Sequence, residues 1–152
     1  MREAKKTLSH QADKVLEGIQ SPLMAMRDLG EHMKNCPFQG WTMQECIKSL
    51  AMTVRARAAL MPIPTDPKAA KSVRALLREA RLALDELDGG AQLLDDDFDG
   101  GVKHHDGAAA LGAAIESLTE KAGVAFESAA VSMGADKAMF SFYEPPREAQ
   151  AA

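Results

Sequence analysis

Apolar residues recur along most of this chain at steps of three and four, the spacing of one face of an α-helix. Leu8, Ala12, Val15 and Ile19 open the pattern and predict a first helix. Ser21 followed by Pro22 has the form of an N-cap with proline at the first helical position. The run through Leu23, Met26, Leu29 and Met33 is therefore either a fresh helix or a continuation bent at the proline. NCPFQGW at 35–41 ends it, and Thr42 with Glu45 three residues on is a capping-box spacing for the next helix. Met43, Cys46, Ile47, Leu50, Val54, Ala58 and Met61 line one side of that element.

PIPTDP at 62–67 reads as a stiff connector, because each proline fixes its own φ and lacks a donor. Asp66 before Pro67 marks the start of a third long helix, with Val73, Leu76, Leu77, Ala80, Leu84 and Leu87 on its apolar face and Gly89-Gly90 as its expected stop. Beyond an acidic stretch, Leu111, Ile115, Leu118, Ala122, Phe126, Ala129 and Met133 define a final helix rich in alanine, whose small side chains allow a neighbour to come close. AMFSFY at 138–143 is a short apolar piece and EPPREAQAA a tail. No strand pattern stands out. The expectation is an all-α fold, an up-and-down bundle of four to five amphipathic helices, with residues 1–143 as a single domain and 144–152 as a flexible C-terminal tail.

Composition narrows the picture. A chain of 152 residues, 46% of them apolar, is enough for one compact domain with a core, and two independent domains would each be small. Aromatic and β-branched residues are sparse, which favours helix throughout. The nine methionines read as filler for irregular gaps in the core. The MREAKK start has no apolar run behind it, and the longest small-apolar run, GAAALGAAI at 107–115, is far short of the roughly 20 residues of a spanning helix. A cytoplasmic protein without membrane contact is expected. Cys36 and Cys46 then read as free, buried thiols; with His32 they lack the paired spacing of a structural zinc site. A net charge of -4 disfavours a general nucleic-acid binder.

The chemistry concentrates in two places. The first is DDDFDGGVKHHD at 95–106, with Asp at loop positions one, three, five and twelve, Gly at six and Val at eight. This stretch resembles an EF-hand calcium loop, and the Asp at its last position is similar to dockerin-type loops. The resemblance covers twelve residues and implies calcium as a cofactor, held by Asp95, Asp97, Asp99, the Gly101 carbonyl and Asp106. Asp106 is shorter than the usual glutamate, and Lys103 stands at the ninth position. The other reading is a polar linker in which Asp106 caps the last helix. His104 and His105, about 100° apart on a starting helix, do not converge on one ion with that aspartate.

The second place is the third helix, where Lys71, Arg74, Arg78 and Arg81 step by three, four and three along one flank while Asp85, Glu86 and Asp88 occupy the C-terminal half. This order opposes the helix dipole at a few tenths of a kcal/mol per exposed charge, so local stability does not account for it. The stripe is either a solvated flank or a surface for an anion. Three anionic partners fit: an acidic protein surface, a nucleic-acid backbone, or the chain's own DDDFD.

No phosphate-binding GxxxxGK, no GxGxxG, no GxSxG and no HExxH occurs, and no enzymatic activity is expected. The leading expectation is a non-enzymatic α-helical interaction or adaptor module, part of an oligomer or larger assembly, with a calcium loop as an additional feature. A calcium sensor and a nucleic-acid-associated regulator acting through the basic stripe are the two alternatives. A protein partner or self-association is favoured over nucleic acid.

Overall fold

The computed structural model describes residues 2–35, 40–96 and 102–135, with side chains placed over 6–35, 45–89 and 109–135. The described residues form four helices and no strand: α1 (Arg2–Asn35), α2 (Gly40–Ala58), α3 (Pro67–Asp96) and α4 (Val102–Ser132). The chain is all-α, as its periodicity implies. AMFSFY and the tail lie outside the described residues.

α1 runs unbroken through Pro22. A proline inside a helix leaves the carbonyl four residues earlier without its N–H donor. That carbonyl belongs to Gly18, and the Arg57 guanidinium of α2 donates a hydrogen bond to it. A cation from a neighbouring helix thus replaces the bond the ring removes, and the ring itself is buried. Of the two outcomes open at Ser21-Pro22, the chain takes the continuous helix.

The start of α3 is capped as expected. The Ala69 amide donates to Asp66 Oδ2 at 2.9 Å, the Ala70 amide donates to the Asp66 carbonyl at 2.8 Å, and Pro67 takes the first helical position. The expected stop at Gly89-Gly90 is a correction: α3 continues through both glycines to Asp96. The propensity penalty of a glycine pair, about 1 kcal/mol each, is within what the buried Leu84 and Leu87 just before it can carry. α4 closes with a Schellman arrangement in which the Ala135 amide donates to the Ala130 carbonyl and the Gly134 amide to Val131, Gly134 taking φ 93°.

One core joins the four helices. α1 contributes Leu16, Ile19, Leu23, Met26 and Met33, α2 Ile47, Ala51 and Val54, α3 Val73, Ala80, Leu84 and Leu87, and α4 Ile115, Ala122, Phe126 and Ala129. Met61 and Ile63 of the connector pack against it, although Met61 lies beyond the end of α2. Among the described residues Met26, Met33, Met61 and Met133 are buried in the core, whereas Met52 is exposed.

α1 and α4 pack antiparallel at very short range. A methyl group on Gly112 would lie 2.6 Å from the Gly30 carbonyl oxygen and 2.7 Å from the Lys34 amide nitrogen, and at the other end Gly134 faces Ser9. The expectation that the small residues of the last helix admit a close neighbour holds here. Lys34 Nζ and Glu116 Oε2, 3.3 Å apart, tie the same two helices at the surface.

Candidate functional site

α2 and α3 both rest on the rest of the core, but their outer edges stand apart and leave a cleft of about 430 Å³. Its floor is Leu77 and Leu84 of α3 with Phe126 of α4, and Ala58 and Ala59 at the end of α2 form one wall. Arg74, Arg78 and Arg81 of α3 and Arg55 of α2 stand around it. α3 supplies both kinds of lining because its face turns by about 100° per residue, so leucines at 77 and 84 lie inward of arginines at 74, 78 and 81.

The basic stripe is therefore placed as its spacing implies, on an exposed flank, with one distinction. Three of its members line the cleft; Lys71 is exposed on the same flank but lies about 80° round the helix from Arg81 and outside the lining. Arg74, Arg78 and Arg81 form no ion pair among the described residues. They also crowd one another at spacings of four and three, which costs a helix a few tenths of a kcal/mol per like-charged pair.

Arg55 behaves differently. Its Nη2 lies 2.9 Å from Asp85 Oδ1 and its Nη1 2.6 Å from Asp88 Oδ2. Burial alone would lower the pKa of this guanidinium, but the bonds it donates to Asp88 and Asp85, with their negative charges, outweigh that and raise it. Two of the three acids at the wrong end of α3 are thus answered from α2. Exposed pairs of this kind contribute up to about 1 kcal/mol, enough to offset the dipole penalty of a few tenths per acid. Arg55 carried no signal in the sequence beyond a cation at a helix C-terminus, because its partners lie 30 and 33 positions away and only the packing of α2 on α3 brings them together.

The calcium ligands expected at 95–106 lie outside the described side chains. The helix bounds place Asp95 and Asp96 in the last turn of α3 and residues 102–106 in α4, while Asp97, Asp99 and Gly101 lie outside the described residues. Because α4 begins at Val102, Asp106 lies within that helix and is not its cap, which corrects the linker reading on that point. Cys46 is exposed, a correction to the expected buried thiol, and Cys36 lies outside the described residues. Among the described residues no group of three or more His, Cys, Asp or Glu is placed to hold a metal.

The described lining of the cleft consists of Arg, Leu, Ala and Phe. It holds no nucleophile and no general base; what it can do is bind an anionic group beside an apolar one. No described helix is long and apolar enough to cross a membrane. Comparison of the chain with family models, curated proteins and solved structures finds no match.

Proposed function

We propose that this chain is a non-enzymatic helical interaction module, built as an up-and-down bundle, whose α2–α3 cleft receives an acidic segment of a protein partner. The antiparallel contact of α1 with α4 and the short connections support the bundle order. The single observation that carries the function is the set of three arginines, 74, 78 and 81, standing without ion pairs among the described residues around an apolar floor. Each guanidinium offers a planar fork matched to a carboxylate, and the floor offers a place for a leucine or phenylalanine side chain between them.

A nucleic-acid backbone fits this cleft less well. Phe126, the aromatic among its described lining residues, is buried and presents no open ring face for stacking a base. The floor is apolar where a phosphate track needs continuous cationic surface.

Fluorescence anisotropy with a labelled peptide that alternates Glu with Leu and Phe tests the assignment. Binding is expected to be saturable, to weaken with added salt, and to fall about tenfold or more when Arg74 and Arg81 are both changed to Glu. A peptide with Gln in place of Glu should not bind. If a DNA or RNA oligonucleotide binds more tightly than the acidic peptide, or if the double substitution leaves peptide binding unchanged, the assignment is wrong.

A further inference from the structure

The chain itself carries a segment with the chemistry that this cleft selects. LLDDDFD at 93–99 sets four carboxylates around Phe98, close behind two leucines, and no other stretch of the sequence combines acids and bulky apolar residues so densely. Within one molecule the segment stays out of reach of Arg78 and Arg74, 18 and 22 residues before Asp96 and about 27 and 33 Å from it along α3. α3 is continuous to Asp96, so Arg81, the nearest cleft arginine in sequence, lies 15 residues and about 22 Å from that end of the helix. The five residues 97–101 are tied at both ends, to Asp96 of α3 and Val102 of α4. The six steps from Asp96 to Val102 measure about 22 Å fully stretched, and a loop held at both ends reaches back about half of that.

We propose that the occupant of the α2–α3 cleft is the 93–99 segment of a second copy of this chain. Asp95, Asp97 and Asp99 pair with Arg74, Arg78 and Arg81 of the other copy, and Phe98 meets the floor of Leu77, Leu84 and Phe126. The cleft lies along the early and middle turns of α3, and the acidic segment begins in its last turn. Two copies with antiparallel α3 helices therefore present each cleft to the other's acids, and a reciprocal contact of this kind closes as a twofold dimer. Like charges packed on the two halves of one helix, an arrangement the dipole disfavours, then become complementary across the pair.

This inference rests on the assignment of the cleft to acidic segments, and the two fail in different ways. A labelled peptide of residues 91–101 is titrated with full-length protein beside the Glu/Leu/Phe peptide, and sedimentation velocity follows the state of the chain. Three proteins are compared: the parent chain, the cleft variant R74E/R81E and the acid variant D95K/D97K/D99K, each checked for helix content by circular dichroism. The parent is expected to dimerise, less so with added salt, and each variant alone to stay monomeric. An equimolar mixture of the two variants should recover the dimer, because reversed acids then face the native carboxylates' old partners in reversed form at one contact and native charges meet at the other. Binding of the generic peptide without binding of the 91–101 peptide sinks this inference and leaves the cleft assignment standing, and failure of both peptides sinks both. A parent chain that remains monomeric, or variants that do not recover the dimer on mixing, also overturns it.

Discussion

A methyl group at position 112 would push directly against the backbone of α1, 2.6 Å from one main-chain oxygen and 2.7 Å from a main-chain nitrogen. Neither atom can rotate away, so Gly112→Ala must part the two helices that hold most of the core. Overpacking of this kind costs about 1–3 kcal/mol, more than the gain of up to about 1 kcal/mol in helix propensity. Gly89 is the opposite case: exposed, in the interior of α3, with nothing within 4 Å of an added Cβ. There the same substitution should stabilise by about 0.5–1 kcal/mol. Urea midpoints of the two variants should move in opposite directions from the parent, and a Gly112→Ala protein as stable as the parent would contradict the close approach. The sequence marks Gly89, with Gly90, as a helix stop and places Gly112 inside a small-apolar run, but it does not say which of them meets a neighbouring backbone. Only the register of α4 on α1 assigns Gly112 to a backbone contact, and only the continuation of α3 leaves Gly89 in a helix interior facing solvent. Asp66 was legible because a cap is local: its acceptor and the amide it meets are three residues apart.

α1 shows the same division between local and tertiary information one level up. The sequence leaves Ser21-Pro22 open between a fresh start and a bend, since proline at that place fits a first turn as well as an interior position. The decision falls to α2, whose Arg57 supplies the donor that the Gly18 carbonyl lacks. The bond is exposed, so its net worth is at the low end for a hydrogen bond, about 0.5–1 kcal/mol. Arg57→Met keeps the aliphatic stem and removes the donor, and should cost about that much in the parent chain. In a Pro22→Ala background the residue-22 amide can reach the Gly18 carbonyl, and the cost of Arg57→Met should nearly vanish. A double-mutant cycle by chemical denaturation reads this coupling directly, and additivity of the two changes would rule out the replacement of one donor by the other. For a related reason α3 runs on past the stop that Gly89-Gly90 implies locally. Glycine punctuation weighs about 1 kcal/mol per residue, and packing of the apolar face overrides it when buried leucines lead into it.

At the scale of the whole molecule the cleft is bordered by the described C-terminal part of α2, whose outer side is open to solvent. Among its described side chains α2 sends Ile47, Ala51 and Val54 into the core. Met52 at 68% and Leu60, beyond its end, at 73% exposure remain in solvent. Toward α3 its described polar link is Arg55 to Asp85 and Asp88. A helix held in this way opens at a free energy below that of global unfolding, so its amides should exchange with solvent before those at the α1–α4 contact. Native-state hydrogen exchange is expected to place Ile47–Val54 at least about tenfold faster than Ile19–Met26 and Ala122–Ala130, where 1.4 kcal/mol separates each factor of ten. Arg55→Ala should widen the gap while lowering global stability by no more than about 1 kcal/mol, because exposed ion pairs contribute little to the whole. An acidic peptide in the cleft should slow exchange in α2, in the stretch of α3 from Arg74 to Leu84, and at the α1 amides that exchange only through global unfolding, since a ligand stabilises the protein against every opening that destroys its site. Equal protection of α2 and α1 would mean that the four helices open as one unit, and the cleft would then be a rigid groove with no hinged wall.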